Sequence, residues 1–373
     1  MKLLIQHNHY KDEISGVLTY ISSIQSELNL RGIETKVIST TENSSLQWID
    51  YIAWADLIHM NSNHLAFACL CKIFNKKIVI KYHYLFYTSI HSRYQSMSLF
   101  QRLKTEFVHS LPKSNYPLKW KLHTIVKLAK LATRFLTALI VDRHTACSQF
   151  LADSHSFPWK VTTLYNPIQV QDHPLQKTVD DLSKPDSFVY VGRLNPDKGV
   201  DLLLKATKLI QTQDRDFRVL IIGDGGEAKA LQSLATELDI LNRVEFLGNC
   251  SQPKILLIVR SALALVAPSR WQEPAGYVVL EASSVSTCSI VANVGGLPEM
   301  AGSHTFLFEQ ENVEELAAAM KFCLDHPQEA IDRGKGANQY VSERFSPAQT
   351  VDHLLKVYQE ISPNFNVQNE GME

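Results

Sequence analysis

The amino-acid sequence predicts an α/β protein made of two doubly wound, parallel-sheet domains. The chain has 373 residues, which is more than one hydrophobic core usually organises. Short apolar runs alternate with amphipathic helical patterns along both halves, and this alternation is typical of parallel sheets covered by helices on both faces. Apolar residues make up 45% of the chain and charged residues 20%, a globular composition that excludes extensive disorder.

The first predicted domain spans residues 1–168. It opens with the apolar run MKLLIQH, a predicted strand, and continues with a helical pattern over residues 17–31 that ends at Gly32. Further strands are predicted from short apolar runs at residues 35–38, 56–60, 77–81, 138–141 and 162–165.

The second predicted domain spans residues 187–345 and follows a proline-containing linker at residues 169–186. Its predicted strands and helices alternate in the order 188–192, 200–210, 217–223, 227–238, 244–248, 262–267, 278–285, 289–292, 313–325 and 328–340. A last helix, within residues 346–362, packs either on the first domain or on the second.

The amino-terminal residues lack the pattern of an export signal, and the longest apolar stretch, residues 122–141, contains three cations. We therefore expect a cytoplasmic protein without a transmembrane helix. The six cysteines follow no zinc-binding spacing, and no acidic pair suits magnesium, so we expect no bound metal.

Two cations lie in the loop GRLNPDKG, between a predicted strand and a predicted helix. Arg193 and Lys198 follow the carboxyl end of a parallel strand, which is where doubly wound folds bind ligands. Helix amino termini at that edge supply free N–H groups and a positive dipole. The loop therefore predicts a diphosphate site, and the alternative is a solvated loop with two ordinary charges.

Two carboxylates mark the segment EPAGYVVLE. Glu281 lies just over a turn inside a predicted helix, where it can accept hydrogen bonds from a ribose diol. The free amides of Gly276 and Tyr277 face phosphate or sugar oxygens. Glu273 lies on the preceding loop and can bind a sugar hydroxyl or stabilise positive charge at an anomeric carbon. The alternative for both acids is attraction to the helix dipole.

A glycine fingerprint, GDGGEA at residues 223–228, matches the G-x-G-x-x-A pattern of dinucleotide-binding enzymes. Glu245 lies at about the spacing of a ribose-binding acid. However, the match is in the second strand–helix unit of its domain, and Glu245 falls inside an apolar strand. A tight turn is the favoured interpretation, and an NAD-dependent oxidoreductase is the alternative.

Five motifs within residues 189–299 occur in a specific order: VYVGRLNPDKGVDLLLKA, RVLIIGDGG, VEFLG, LALVAPSRWQEPAGYVVLEA and IVANVGGLPE. This ordered set resembles the donor-binding domain of the retaining glycosyltransferases of family four. That family has the GT-B fold, two Rossmann-like doubly wound domains facing a central cleft. The first half is similar more loosely, through Ser15-Gly16-Val17, DLIHMN, His83, ACSQFLAD and LYNPI, so the resemblance covers nearly the whole chain.

The resemblance implies roles for the matching residues. Arg193 and Lys198 would bind the donor diphosphate, Glu281 the ribose, and Glu273 the transferred sugar. The full set of implied donor-binding residues is Arg193, Lys198, Glu281, Gly16, Gly276, Tyr277 and Val278. The implied catalytic residues are Glu273 and His83.

Two of these residues belong to the first half. Gly16 is placed in the loop after the first strand, where the family usually has a pair of glycines that let the backbone approach the phosphates. Ser15 replaces one of that pair here. His83 follows the predicted strand at residues 77–81, where the family often has a histidine near the donor sugar; the alternative for His83 is a structural role.

The predicted function is retaining transfer of a sugar from a UDP-, GDP- or ADP-sugar to a glycan or lipid-linked acceptor. The family implies assembly of a cell-surface polysaccharide or lipopolysaccharide, and a reaction that needs neither a metal nor a cofactor. Two alternatives stay open: the oxidoreductase named above and a non-catalytic nucleotide-sugar-binding protein.

A basic stretch at residues 93–134 holds nine lysines and arginines against the single acid Glu106. Lys127, Lys130 and Arg134 recur at helical spacing in a predicted amphipathic helix at residues 119–139. This helix either contacts anionic lipid as a peripheral membrane surface or packs on the core with a solvated basic face. No nucleic-acid-binding module accompanies the charge, so no nucleic acid is expected.

Overall fold

The protein, represented by a computed structural model, is described over residues 1–10, 13, 15–87, 97–110, 118–170, 186–211 and 216–363. The chain divides into two compact units. The N-terminal unit comprises Met1–Pro167 and Pro347–Glu373, and the C-terminal unit comprises Ile168–Ser346. Most of the predicted linker, residues 171–185, lies outside the described residues.

The N-terminal unit contains a six-stranded parallel sheet in the order β2-β1-β3-β4-β5-β6. Its elements before the crossing to the other unit are β1 (Lys2–His7), α1 (Gly16–Leu30), β2 (Glu34–Ser39), α2 (Ser45–Trp54), β3 (Leu57–Met60), α3 (Leu65–Ile73), β4 (Lys77–Tyr82), α4 (Leu99–Ser110), α5 (Leu118–Ile140), β5 (Arg143–Ala146), α6 (Gln149–Ser154) and β6 (Val161–Thr163).

The C-terminal unit contains a second six-stranded parallel sheet in the order β12-β11-β10-β7-β8-β9. Its elements are β7 (Asp186–Val191), α7 (Val200–Ile210), β8 (Phe217–Ile222), α8 (Ala228–Glu237), β9 (Val244–Gly248), α9 (Gln252–Ser261), β10 (Ala264–Ala267), α10 (Tyr277–Ser284), β11 (Cys288–Ala292), β12 (Phe306–Phe308), α11 (Val313–Asp325) and α12 (Pro327–Arg344). The prediction of two doubly wound domains is confirmed.

The last helix, α13 (Pro347–Ile361), returns to the N-terminal unit and packs on α1. Both helices bury side chains at three- and four-residue spacing, as an amphipathic helix must. The buried residues of α1 are Val17, Tyr20, Ile21, Ile24 and Leu28, and those of α13 include Val351, Leu354, Leu355 and Tyr358. Each such side chain contributes about 1.5–3 kcal/mol when fully buried, so this contact holds α13 firmly to the unit.

The prediction of a strand at residues 138–141 is wrong. Those residues form the end of α5 and the residue after it, and the strand is β5, Arg143–Ala146. β5 has the sequence RHTA, and its polar His144 and Thr145 are buried, so no apolar run marks it. Asp142 separates the two elements. Its carboxylate accepts a hydrogen bond of 2.8 Å from the backbone amide of Ile78, near the start of β4.

Three buried histidines of the N-terminal unit are held neutral because burial disfavours their charged form. Burial lowers the pKa of His59 and of His144 to about 3 and that of His155 to about 4. The unfolded chain has histidine pKa values near 6.5 and therefore binds protons that the folded unit rejects as the pH falls below about 6.5. The resulting stability is present above that pH and is lost as the pH falls towards the folded pKa values.

We therefore expect the N-terminal unit to unfold more readily at pH 5 than at pH 7. Each of these histidines costs about 1.4 kcal/mol of unfolding free energy per pH unit in that window. Denaturant unfolding between pH 7 and pH 5 measures how the unfolding free energy changes with pH. His59→Gln is expected to reduce the number of protons taken up on unfolding by about one, which lowers this slope. Replacement of the exposed His353 by Gln is the matched control, and an unchanged slope in His59→Gln would contradict the account.

None of the helices in the described part of the chain has the length and apolar character that a membrane crossing requires.

Candidate functional site

In the C-terminal unit, the candidate site lies where the neighbouring parallel strands β7 and β10 end. The loop after β7 carries Lys198, and the loop after β10 carries Glu273. The two loops are joined by their backbones, because the amides of Arg270 and Trp271 donate to the carbonyl of Asp197 at 2.8 and 3.0 Å. The sheet therefore brings the two loops to one edge, as the doubly wound topology requires.

Lys198 and Glu273 form an ion pair at this edge. The Nζ–Oε1 distance is 2.5 Å, and each side chain is 18% exposed. The hydroxyl of Ser269 donates to the same Glu273 oxygen at 3.1 Å. Two predicted site residues are thus in direct contact, on a shared and largely desolvated patch.

A short 3-10 turn, Pro196–Lys198, presents this lysine, and Gly199 follows it in the left-handed conformation with a φ of 66°. A Cβ atom at Gly199 would lie 2.0 Å from the carbonyl oxygen of Pro268. Only glycine allows both the positive φ and this approach. Gly199 therefore lets the turn of Lys198 lie against the loop of Glu273.

Arg193 lies in the same loop as Lys198, and its side chain is exposed. Its backbone carbonyl accepts a hydrogen bond of 2.8 Å from the hydroxyl of Tyr190. The loop backbone is therefore fixed near Arg193, while the guanidinium extends towards solvent, where a ligand can meet it.

The start of α10 lies on the loop that carries Glu273. Gly276 is the residue before α10 and provides no side-chain cap, so the amides of Tyr277 and Val278 have no capping oxygen from it. Glu281, in the second turn, accepts a hydrogen bond of 2.7 Å from the side chain of Gln252. Burial raises the pKa of Glu281.

The glycine fingerprint at residues 223–228 is explained by close packing of the β7 and β8 loops. A Cβ atom at Gly223 would lie 1.9 Å from the carbonyl oxygen of Gly192, and one at Gly225 would lie 2.4 Å from that of Leu194. The amides of Gly223 and Glu227 donate to backbone carbonyls at 2.8 and 2.9 Å. These amides are engaged inside the protein, which favours the tight-turn interpretation over dinucleotide binding.

In the N-terminal unit, His83 follows β4 at the carboxyl edge of its sheet and is buried. Its Nε2 atom lies 2.9 Å from Oδ1 of Asn61, whose own amide group donates to the carbonyl of Gln6 at 3.3 Å. Because Oδ1 accepts, Nε2 carries the proton and Nδ1 is the basic nitrogen. Burial, with the nearby Lys81, holds the pKa of His83 well below its usual value, so the imidazole is neutral.

Lys81 is itself buried in this unit, near the end of β4 and two residues before His83. Its ammonium nitrogen lies 3.5 Å from the ring centroid of Tyr20 and donates to the carbonyl of Tyr165 at 3.3 Å. Burial lowers the pKa of Lys81 well below its usual value.

The placement of Gly16 in a loop is wrong. Gly16 is the first residue of α1, because Ser15 is the N-cap and its hydroxyl accepts a hydrogen bond of 3.3 Å from the amide of Leu18. Ser and Thr at this position satisfy one of the free amides of the first helical turn. The serine that departs from the family pattern therefore has a local structural role.

Arg270 is a residue that the sequence patterns did not reveal. Its guanidinium donates to both carboxylate oxygens of Asp201 at 2.6 and 3.0 Å, to Glu311 at 2.5 Å, and to the carbonyl of Pro196 at 3.1 Å. A bidentate Arg–carboxylate pair fixes both partners in direction as well as distance. Arg270 thereby ties the turn before Lys198 to the loop that leads to Glu273.

Within the described residues, no group of three or more His, Cys, Asp or Glu side chains is arranged to hold a metal ion.

Residues 176–340 match the family model described as glycosyl transferases group 1. A glycogen synthase of Mycobacterium tuberculosis is 30% identical over 176 residues, covering 47% of this chain and 42% of the relative. A D-inositol 3-phosphate glycosyltransferase of Corynebacterium glutamicum is 31% identical over 189 residues, covering 48% of this chain and 45% of the relative. The chain thus spans about half the length of the curated relatives that it matches. The segment of this chain that the family model matches falls within its C-terminal unit.

Two solved structures are similar over almost the whole chain. HepE of Anabaena, solved in complex with UDP, has a TM-score of 0.71 at 18% identity and covers 96% of this chain and 100% of its own. Sucrose-phosphate synthase from Thermosynechococcus elongatus has a TM-score of 0.69 at 16% identity and covers 97% of this chain and 99% of its own. The predicted GT-B fold class is confirmed.

Proposed function

We propose that this protein is a retaining glycosyltransferase of the family-four type that transfers a sugar from a nucleoside-diphosphate sugar to a glycan or lipid-linked acceptor. The observation that carries the proposal is the Lys198–Glu273 ion pair, which lies on the loops that lead to the 3-10 turn at Lys198 and to the start of α10. A cation and a carboxylate in one largely desolvated patch, on the loops that lead to a helix amino terminus, match the needs of a leaving diphosphate and a positively charged sugar carbon.

In the proposed reaction, the donor diphosphate binds to Lys198, to Arg193 and to the amides of Tyr277 and Val278. The bond between the anomeric carbon and the phosphate oxygen breaks, and the acceptor oxygen bonds to that carbon on the same face. The acceptor proton passes to the departing phosphate oxygen. The protein contributes position and charge, and it forms no covalent bond to the sugar.

Glu273 has two successive partners in this scheme. Without a donor, its carboxylate pairs with Lys198. When the diphosphate takes over the lysine, Glu273 is released to accept from a sugar hydroxyl and to stabilise the positive charge that develops at the anomeric carbon. Glu281 binds the ribose diol in place of the amide of Gln252. His83 of the N-terminal unit is a neutral hydrogen-bonding group, and its catalytic role stays a prediction.

UDP is the first nucleotide to test, since HepE has been solved with UDP and with UDP-glucose. GDP and ADP are the other candidate nucleotides. We propose that the reaction needs no metal, because Lys198, Arg193 and the start of α10 supply the positive charge that a metal would bring to the phosphates. The proposed setting is the cytoplasm, in cell-surface polysaccharide or lipopolysaccharide assembly.

The experiment compares thermal shifts with UDP, GDP, ADP and NADH, and then follows the matching sugar nucleotide by NMR with EDTA present. We expect one nucleoside diphosphate to stabilise the protein and NADH to have no effect. The product is expected to keep the anomeric configuration of the donor. Stabilisation by NADH alone would favour the oxidoreductase, nucleotide binding without hydrolysis or transfer would favour a binding protein, and an inverted product would exclude retention.

Arg270→Gln is expected to lower turnover about ten- to hundredfold, because the turn of Lys198 loses its anchor and small displacements of reacting groups are costly. The Michaelis constant for the donor should change less than turnover, since Arg270 touches no ligand in the scheme. Arg218→Gln, on an exposed arginine of β8, is the matched control. Wild-type turnover in Arg270→Gln would show that Arg270 has no positioning role.

The basic stretch is proposed to bind anionic membrane as a peripheral surface. Its residues 93–96 and 111–117 lie outside the described residues. In the described part of α5, Ile125, Leu136 and Leu139 are 48–62% exposed, and Lys127 and Lys130 are exposed on the same helix. Apolar residues left in solvent beside cations fit a lipid surface better than a core contact.

Co-sedimentation with vesicles tests this surface. We expect binding to vesicles that contain an anionic phospholipid and little binding to zwitterionic vesicles, with a loss of about 1 kcal/mol for each cation removed from Lys127 or Lys130. Removal of the exposed Lys229 of α8 is the matched control. Equal sedimentation of Lys127→Ala and wild type with anionic vesicles would contradict the proposal.

A further inference from the structure

The N-terminal unit has a polar cavity of about 460 Å³ at the edge of its sheet where β5 and β6 begin. The walls come from the end of α5, from the starts of both strands and from α13. His83 follows the carboxyl end of β4, which is a neighbour of β5 in the same parallel sheet. The cavity therefore lies at the opposite edge of the sheet from His83, away from the proposed chemistry.

Both acids that line the cavity are paired with cations, so its unpaired charge is positive. Asp142 lines it, but its carboxylate is held by Lys72 and, at 3.2 Å, by Lys77. Glu360 also lines it and pairs with Nε of Arg143 at 3.1 Å. Lys160 lines the cavity, and within the described part of the chain it forms no ion pair.

Hydrogen-bond donors of several kinds meet in this cavity. Arg143 uses Nε for Glu360 and an Nη1–H for the carbonyl of Asp142 at 3.5 Å, and it retains further guanidinium N–H groups. Thr162 contributes a hydroxyl, and Lys160 contributes an ammonium group. A ligand with one anionic group and several hydroxyls would satisfy this set, whereas an apolar ligand would leave it unpaired.

An aromatic wall completes the cavity. The ring of Trp159 stacks on that of His144, with 5.1 Å between centroids and an angle of 27°, and lies 4.8 Å from the ring of Phe157. These contacts fix the indole. Its Nε1–H is buried without a hydrogen-bond partner in the structure, so the indole offers the cavity its apolar surface and not its N–H group.

We propose that this cavity binds an anionic saccharide, a sugar ring that carries a carboxylate or a phosphate. The C–H groups of the ring pack against Trp159, one of its hydroxyls pairs with Thr162, and its anionic group pairs with Lys160 and Arg143. The volume falls in the range of small-molecule sites. The cavity would be a second binding site for a charged sugar, separate from the donor site. This proposal does not rest on the proposed reaction.

Calorimetric or ligand-observed NMR titration of the full chain tests the proposal with glucuronic acid, glucose 6-phosphate, glucose and inorganic phosphate. We expect at least one of the two anionic sugars to bind with a dissociation constant in the millimolar range. Glucose and inorganic phosphate are each expected to bind at least about tenfold more weakly, since each lacks half of the contacts. The stronger of the two anionic sugars identifies the anion that the cavity accepts.

Lys160→Ala is expected to weaken binding of that sugar about tenfold or more, because one charge-assisted hydrogen bond is lost. Trp159→Phe is expected to weaken it as well, with folding checked by circular dichroism. Lys104→Ala, on an exposed lysine of α4, is the matched control. UDP affinity should stay unchanged in all three variants.

Three outcomes would overturn the proposal. The first is no binding of either anionic sugar at about 20 mM, a concentration that detects weak millimolar sites. The second is equal binding by Lys160→Ala and wild type. The third is inorganic phosphate binding as tightly as glucose 6-phosphate, which would indicate an anion site without sugar recognition. Because binding is measured directly, these outcomes are independent of whether sugar transfer is observed.

Discussion

Lys198→Ala is expected to weaken UDP binding about ten- to hundredfold, because a hydrogen bond between charged groups contributes about 1.5–3 kcal/mol. The ammonium group is the cation of the candidate site that is both fixed by its turn and largely desolvated. Removing it also leaves the Glu273 carboxylate without its cationic partner, so an uncompensated negative charge remains beside the incoming diphosphate. Both effects act in the same direction, and calorimetric titration with UDP measures them together.

Two further variants define the diphosphate site. Arg193→Ala is expected to have a smaller effect, since this side chain is exposed and screened by solvent. Lys208→Ala, on an exposed lysine of α7, is the matched control and should bind UDP as the wild type does. Wild-type UDP affinity in both Lys198→Ala and Arg193→Ala would remove the proposed phosphate site.

Glu273→Gln is expected to lower turnover about 100- to 1,000-fold, because the amide cannot stabilise the positive charge of the transition state as a carboxylate does. UDP affinity is expected to stay the same or to rise. The reason lies in the ion pair: without the carboxylate, Lys198 no longer has to leave a partner before it meets the diphosphate. The two readouts therefore move in different directions, which a general loss of structure would not produce.

Initial rates and UDP titration on the same Glu273→Gln sample provide the measurement. Glu237→Gln, on an exposed acid at the end of α8, is the matched control. Equal losses of turnover and UDP affinity in Glu273→Gln would assign Glu273 a structural role.

Much of the C-terminal unit could be predicted from its sequence. The bounds of α7 and α11 agree with prediction to the residue. These helices have regular apolar spacing and clear starts, with Gly199 before α7 and the side chain of Asn312 capping α11. The contact between Lys198 and Glu273 also follows from topology, because both residues come just after neighbouring parallel strands.

Other features depend on contacts between distant segments, which local patterns do not encode. β5 contains buried polar residues, so no apolar run marks it. The apolar run at the end of α5 is therefore predicted to be the strand. Asn61 orients His83 from 22 residues away in sequence. Arg270 contacts Asp201 and Glu311 only once the sheet has formed, and in the sequence it is one charged residue among many.

A structure of the protein crystallised with UDP tests the central claim most directly. We expect the diphosphate within hydrogen-bond distance of Lys198 and the amides that begin α10, with the ribose on Glu281 and the Lys198–Glu273 pair separated. UDP bound elsewhere, with that ion pair intact, would contradict the account.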